Sequence, residues 1–198
     1  MQKYNIGILV FDDVEVLDFA GPFEVFTVTA ELMKYNFIEV FTVAEEKTLI
    51  KAKNGLKIMP EYAFNQHPEI SILIIPGGFG TRKLLHRTSV KEWLEQVDNR
   101  SLIMASVCSG ALILGRFGYL DGLECTTHHD VVEELKILAP LTKVLEEERF
   151  IDSGTKIMTS AGVATGIDLS LYIVKKLLGH KVCDNTMKYM EYGDWKKL

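Results

Sequence analysis

The sequence predicts an α/β fold: a single domain built on a mostly parallel sheet, with helices on both faces and a sharp strand-to-helix turn that carries a cysteine. Three observations predict it. Apolar runs without polar alternation recur at residues 4–11, 70–75 and 102–107, as in strands covered on both faces. Helical periodicities separate these runs at the spacing of right-handed crossover units. The 198 residues are 47% hydrophobic and 25% charged, enough for one sizeable core. No repeat, low-complexity stretch or proline-rich linker marks a boundary, so residues 1–198 read as one domain.

Residues 4–11, Tyr-Asn-Ile-Gly-Ile-Leu-Val-Phe, form the first strand. After an acidic turn at Asp12 and Asp13, Gly21-Pro22 is predicted to open a helix, with proline at its first position and Phe23, Phe26, Ala30 and Met33 on one buried face. Residues 37–44 read as a second strand, and 49–59 as a hairpin with a type I′ turn at Asn54-Gly55. A buried strand at 70–75 precedes helical pattern through Val97. Residues 102–107 are strand, 109–117 helix, 123–127 a short strand and 130–138 helix. Residues 143–158 are predicted as a strand pair around Asp152-Ser153-Gly154, followed by helices at 163–178 and 181–189. In the first of these two, Ile167, Leu171, Val174 and Leu178 form an apolar stripe.

Charge and composition exclude several function classes. With 27 acidic against 22 basic side chains the net charge is −5, which disfavours a nucleic-acid or anionic-membrane partner. No apolar run reaches the roughly 18 residues of a membrane span, and residues 1–5 lack a signal pattern, so a cytoplasmic protein is expected. Cys108, Cys125 and Cys183 include no C-x-x-C pair, which argues against a disulfide framework.

Reactive groups in such sheets gather at the carboxyl ends of strands. The first candidate is Leu17-Asp18-Phe19-Ala20-Gly21-Pro22, a carboxylate in an apolar stretch ahead of a helix; it also fits a helix-entry aspartate satisfied by backbone amides. The second is Pro76-Gly77-Gly78-Phe79-Gly80, where Gly77 and Gly78 let backbone N–H groups turn toward a bound oxyanion; no phosphate-loop or dinucleotide pattern accompanies them. The third is Val107-Cys108-Ser109-Gly110-Ala111, which has the logic of a nucleophile elbow: the turn exposes the sulfur and the following helix N-terminus favours the thiolate. Cysteine is also among the most buried residue types, so a packing role fits this segment alone.

Together with Thr126-Thr127-His128 and Ser160-Ala161-Gly162-Val163-Ala164-Thr165-Gly166-Ile167-Asp168, these blocks occur in an order that resembles the ThiJ/PfpI superfamily, and within it the isonitrile hydratase branch. The resemblance implies a flavodoxin-like sandwich of the class I glutamine amidotransferase type. It also implies that Cys108 is the nucleophile, Asp18 its acidic partner, and Gly78 with the N–H of Ser109 the oxyanion site. Isonitrile hydratases carry threonine where this chain has Ser109 and tend to have tryptophan at His129, so the expected pocket is larger and more polar. Small residues from Ser160 to Gly166, including Ala161 and Gly162, are expected to bring a helix close to the cysteine and leave a compact pocket. His128 is expected to orient the thiol or simply to be a hydrogen-bonded strand-end histidine.

No metal is expected at His128-His129 with Cys125 and Asp130, since side chains at successive strand positions point to opposite faces. Cys125 and Cys183 read as packing residues, and His67, His86 and His180 as surface or helix-end residues. The function implied is hydration of a small electrophile, an isonitrile giving an N-substituted formamide, with no cofactor and with a homodimer as the common assembly. The alternatives are a glyoxalase or deglycase acting on 2-oxoaldehydes, and a cysteine sensor like the ligand-sensing half of AraC-type regulators. For the last, the nine residues after Tyr189 leave no room for a helix-turn-helix, so DNA contact would need a separate partner.

Overall fold

A computed structural model describes residues 2–197. In chain order the elements are β1 (Tyr4–Leu9), α1 (Val16–Leu32), β2 (Ile38–Ala44), β3 (Ile50–Lys51), β4 (Lys57–Ile58), β5 (Tyr62–Ala63), β6 (Ile72–Ile75), α2 (Thr81–Leu84), α3 (Thr88–Asp98) and β7 (Ile103–Val107). They continue as α4 (Ala111–Arg116), β8 (Glu124–Cys125), α5 (Val132–Leu138), β9 (Lys143–Val144), β10 (Phe150–Asp152), β11 (Ile157–Ser160), α6 (Thr165–Leu178) and α7 (His180–Tyr189). Seven strands make the central sheet in the order β10-β11-β7-β6-β1-β2-β5. All neighbours are parallel except β10 and β11.

Every residue of β6 and β7 is buried, as the continuous apolar runs require of strands covered on both sides. Fully burying each such isoleucine or leucine contributes about 1.5–3 kcal/mol against the entropy of ordering it. Helices α1, α6 and α7 pack together, while α4 packs with α2 and α5. From β1 the chain crosses through α1 to β2, whereas from β6 it crosses to β7 on the other side. The connections therefore diverge between β1 and β6, and a crevice opens at the carboxyl ends of these strands.

Helix α1 corrects the sequence reading: it starts at Val16, so Pro22 lies inside it and Asp18 falls in its first turn. Proline has no N–H to give the Asp18 carbonyl, an interior cost normally avoided. Burial offsets it here, since Gly21 and Pro22 are both buried and a Cβ on Gly21 would lie 3.0 Å from Ile167 of α6. The hairpin turn is also different. Ile50 pairs with Ile58, but the Gly55 N–H bonds the Ala52 carbonyl, so the connection is wider than a two-residue type I′ turn although Asn54 and Gly55 both have positive φ. Of residues 143–158, only the second part forms the expected antiparallel pair, β10 with β11; Lys143–Val144 instead pairs parallel with Glu124–Cys125 in a separate ribbon.

Candidate active site

Strand β7 ends at Val107, and Cys108 follows with φ 56°, a left-handed conformation few non-glycine residues adopt. The chain turns there through a single 3-10 turn, Cys108–Gly110, into α4. Gly110 permits the elbow, because a Cβ on it would sit 2.0 Å from the Ile75 carbonyl oxygen. The ends of β6 and β7 are thus in backbone contact. The Cys108 N–H donates to the Ala161 carbonyl at 2.9 Å, and the Thr127 hydroxyl donates to the Cys108 carbonyl at 2.8 Å. Cys108 is buried, only 8% exposed.

Asp18 reaches the same point from α1 and is fully buried. The Gly77 N–H donates to its Oδ2 at 2.9 Å, while Oδ1 is buried with no partner among the hydrogen bonds of the described residues. Burial pushes the Asp18 carboxyl up to about 7, with the Glu15 charge adding to the effect and the Gly77 N–H and the Cys108 side chain opposing it. Burial also pushes the Cys108 thiol up to about 12, reinforced by the Asp18 charge and opposed by the N–H groups of Ser109 and Val163. The expected stabilisation of the thiolate by the helix N-terminus is therefore outweighed. The resting site holds a thiol beside a carboxylate that is half-protonated near neutrality, and sulfur gains nucleophilicity as its proton passes to Asp18.

The glycine turn also differs from expectation. The Gly77 N–H is engaged by Asp18, and the Gly78 N–H donates to Ser109 Oγ at 2.9 Å. Neither is a free oxyanion donor. Gly77 and Gly78 instead hold the acid and the Ser109 hydroxyl in place, and they do so because neither position has room for a side chain: a Cβ on Gly77 would lie 2.5 Å from the Ser109 nitrogen, and one on Gly78 2.4 Å from the Asp13 carbonyl oxygen.

Val163 escapes the sequence reading. Its φ of 41° is strained for a β-branched residue, on the order of 1–3 kcal/mol, and no sequence signal announces it. The mouth of the site also carries Lys53, whose Nζ lies 2.5 Å from Glu15 Oε2; Lys53 feels the charges of Asp18 and Cys108. This pair comes from the hairpin and the start of α1, a juxtaposition that sequence spacing does not encode.

The small residues after β11 pack closely against His128 and the end of β7. A Cβ on Gly162 would lie 2.3 Å from His128 Cδ2, and one on Gly166 2.9 Å from Val107 Cγ1, so the small residues admit the helix and the histidine ring as expected. His128 and His129 do not point to opposite faces. They lie at a 3-10 turn instead of on a strand, and their rings stack with centroids 4.2 Å apart. Potential ligand atoms of His128, His129 and Asp130 come within 4.8 Å of one another, though His128 Nδ1 already accepts the Asp130 N–H at 3.1 Å. Burial lowers the His128 pKa, keeping its ring neutral near pH 7. A separate cavity at the carboxyl ends of β1 and β2, lined by Phe11, Leu49, Phe64, Lys83 and Arg87, does not include Cys108.

A cysteine on a strained elbow at the carboxyl edge of a parallel sheet, with a buried acid from the first crossover helix, defines an α/β protein of the cysteine-elbow class. The sequence matches the DJ-1/PfpI family over residues 4–176, and the chain belongs to that family. It is 27% identical to the isonitrile hydratase of Pseudomonas putida over 96% of this chain and 78% of that protein. It is 25% identical to the glutathione-independent glyoxalase DJR-1.2 of Caenorhabditis elegans over 94% of this chain and 95% of that one. It is 23% identical to the HTH-type transcriptional regulator GbdR of Pseudomonas aeruginosa over 90% of this chain, which spans 48% of the regulator. Among solved structures, a ThiJ/PfpI family protein from Pseudomonas syringae superposes with a TM-score of 0.86 at 27% identity, covering 97% of this chain and 76% of that one. Among the described residues no helix is long and apolar enough to cross a membrane.

Proposed function

We propose that the chain is a cysteine-dependent hydratase that converts a small isonitrile to an N-substituted formamide. The observation that carries this reading is the Cys108–Asp18 pair: a buried thiol beside an acid whose pKa of about 7 suits it to take and return a proton at neutral pH. As the sulfur attacks the terminal carbon of R–N≡C, the thiol proton passes to Asp18 and from there to the same carbon, giving the thioimidate R–N=CH–S–Cys108. Asp18, again a carboxylate, then takes a proton from water as the water oxygen adds to that carbon and passes it to the nitrogen, giving R–NH–CH(OH)–S–Cys108. Collapse of this adduct breaks the C–S bond, releases R–NH–CHO and carries the hydroxyl proton through Asp18 to sulfur. Water is consumed, nothing is oxidised, and no cofactor is required. The similarity to an isonitrile hydratase over nearly the whole chain supports the substrate class.

A second reading, action on a 2-oxoaldehyde, is favoured by the neutral His128 ring packed on Gly162 beside the cysteine loop and by the similarity to a glyoxalase. The test is a panel of isonitriles, methylglyoxal and glyoxal, with wild type and Cys108→Ala assayed side by side. Formamide production lost in Cys108→Ala supports the hydratase. Cys108-dependent loss of methylglyoxal without isonitrile turnover transfers the assignment to the glyoxalase, and no turnover at all favours a sensor. We read the protein as a cytoplasmic homodimer, supported by the exposed Leu49, Leu56 and Met59 of the β3–β4 hairpin; light scattering on the purified protein tests the dimer.

A further inference from the structure

We infer that Thr127 positions the nucleophile: its buried hydroxyl clamps the main chain of Cys108 in the conformation that sets the thiol beside Asp18. This rests on Cys108 being the reactive thiol. The direction of a side chain follows from the backbone that carries its Cβ. At Cys108 that backbone is held at φ 56°, a left-handed conformation that residues with a Cβ keep only where surroundings impose it. Two hydrogen bonds impose it. On one side the Cys108 N–H donates to the Ala161 carbonyl at 2.9 Å, and on the other the Thr127 hydroxyl donates to the Cys108 carbonyl at 2.8 Å. The same carbonyl accepts the Ala111 N–H, but that bond is internal to the elbow and turns with it. Among the hydrogen bonds of the described residues, Thr127 is the one side chain that reaches the Cys108 backbone. With both peptide groups held, φ and ψ cannot relax without breaking a bond.

Thr127 is itself fixed from both directions along the chain. Before it, the Cys125 carbonyl accepts the Leu145 N–H at 2.8 Å, and Thr126 gives its N–H to Thr159 Oγ1 at 2.8 Å and its hydroxyl to the Glu148 carbonyl at 3.2 Å. After it, the His128 carbonyl accepts the Val131 N–H at 2.9 Å and His128 Nδ1 accepts the Asp130 N–H at 3.1 Å. Thr159 lies in β11 opposite Ser106 of β7. A closed circuit therefore runs from Ser106 across the ladder to Thr159, through its hydroxyl to Thr126, and from the next residue's hydroxyl back to Cys108, two residues beyond the start. Thr127 is 2% exposed, so bulk water does not compete for its hydroxyl. A β-branched side chain has few χ1 choices, which fixes the aim of that hydroxyl in advance. Such a clamp bears on reactivity because a displacement of about 1 Å at a reacting atom can cost on the order of 10²-fold in rate.

The test reads Cys108 itself. Thr127→Val keeps the branched shape and loses the hydroxyl, whereas Thr127→Ser keeps the hydroxyl and loses the methyl. Loss of one hydrogen bond predicts alkylation of Cys108 by iodoacetamide at pH 7 roughly tenfold slower in Thr127→Val, with Thr127→Ser within about twofold of wild type. The pH profile separates positioning from mere support of the fold. In wild type the rate climbs as pH passes about 7, where Asp18 becomes able to accept the thiol proton. In Thr127→Val, with the sulfur turned away from Asp18, it should climb near the ordinary thiol value of about 8.5, and Thr127→Ser should restore the wild-type profile. A Thr127→Val protein that alkylates at or above the wild-type rate at pH 7 or keeps the wild-type profile overturns the inference, as does a Thr127→Ser protein that behaves like Thr127→Val. Should Thr127→Val not fold, because its methyl presses on the Cys108 carbonyl, Thr127→Ala is judged by the same outcomes. These readouts need no substrate, so loss of the isonitrile assignment leaves them intact. Wild-type Cys125 or Cys183 labelling as fast as Cys108 would instead overturn the reactive-thiol premise and the inference with it.

Discussion

Replacing Asp18 with Asn should make the protein more stable and less active at the same time, and the stability effect should depend on pH with a definite sign. The folded-state value of about 7 lies above the ordinary 3.8, so the native protein holds this proton over a range in which the unfolded chain has released it. The Asp18 contribution to stability is therefore fully present below about pH 4 and is lost as pH rises through 7. The folded and unfolded values stand about three pH units apart, and at about 1.4 kcal/mol for each the loss is on the order of 4 kcal/mol above pH 8. Asparagine carries no charge to desolvate, and its side-chain oxygen can still accept the Gly77 N–H while its NH2 group faces the sulfur. Urea unfolding of both proteins at pH 4, 6 and 8 should show little difference at pH 4 and a growing advantage for Asp18→Asn toward pH 8. For a chain of this length that advantage corresponds to roughly 10 °C in Tm. Turnover should meanwhile fall by roughly 10²-fold or more, since the transferable proton is gone. A stability difference independent of pH, or a variant less stable at pH 8, would refute the assignment of Asp18 as a buried group strained by its own charge.

Limited iodoacetamide followed by mass spectrometry should label Cys108 ahead of Cys125 and Cys183, which are buried within the core and lack an acid–base partner; the rate should climb as pH passes about 7, when Asp18 becomes able to accept the thiol proton. Gly110→Ala should cost about 3 kcal/mol in urea unfolding, because its methyl would meet the Ile75 carbonyl at 2.0 Å and backbone cannot yield as a side chain does. Ser109→Ala should cost about 1–3 kcal/mol by orphaning the buried Gly78 N–H, whereas Ser109→Thr keeps the oxygen and should instead penalise bulky isonitriles relative to short ones in competition assays.

The strands, the crossover helices and the identity of the elbow cysteine are legible in the sequence because they depend on local pattern: unbroken apolar runs, three-and-four spacing, and a small residue two positions after the cysteine. The start of α1 is not. Proline favours a first helical turn, and only the packing of Gly21 and Pro22 near α6 explains why it lies further in. The state of Asp18 is legible in direction, since apolar neighbours announce burial, but its anchor is the Gly77 N–H, 59 residues away. Alternation across a strand misplaces the two histidines, because the chain turns helically where they lie. The Val163 conformation is invisible for a general reason: positive φ is signalled by glycine or asparagine, and here tertiary contacts impose it on valine.

The glycine contacts at the strand ends have a consequence for how such a site changes over generations. Gly80 lies against the Asp12 carbonyl, Gly78 against Asp13, Gly77 against Ser109 and Gly110 against Ile75, each too close for a single added methyl. The position of the sulfur is therefore written in main-chain contacts between β1, β6 and β7, while the acid, the hydroxyl and the ring at residues 18, 109 and 128 are side chains attached to that frame. Mutations in the frame displace the nucleophile and are purged as folding defects. Mutations in the three attachments leave this main-chain frame in place, shift stability by a few kcal/mol at most and change what the thiol meets, so one lineage can sample proton donors and pocket shapes in single steps while the thiol stays constant.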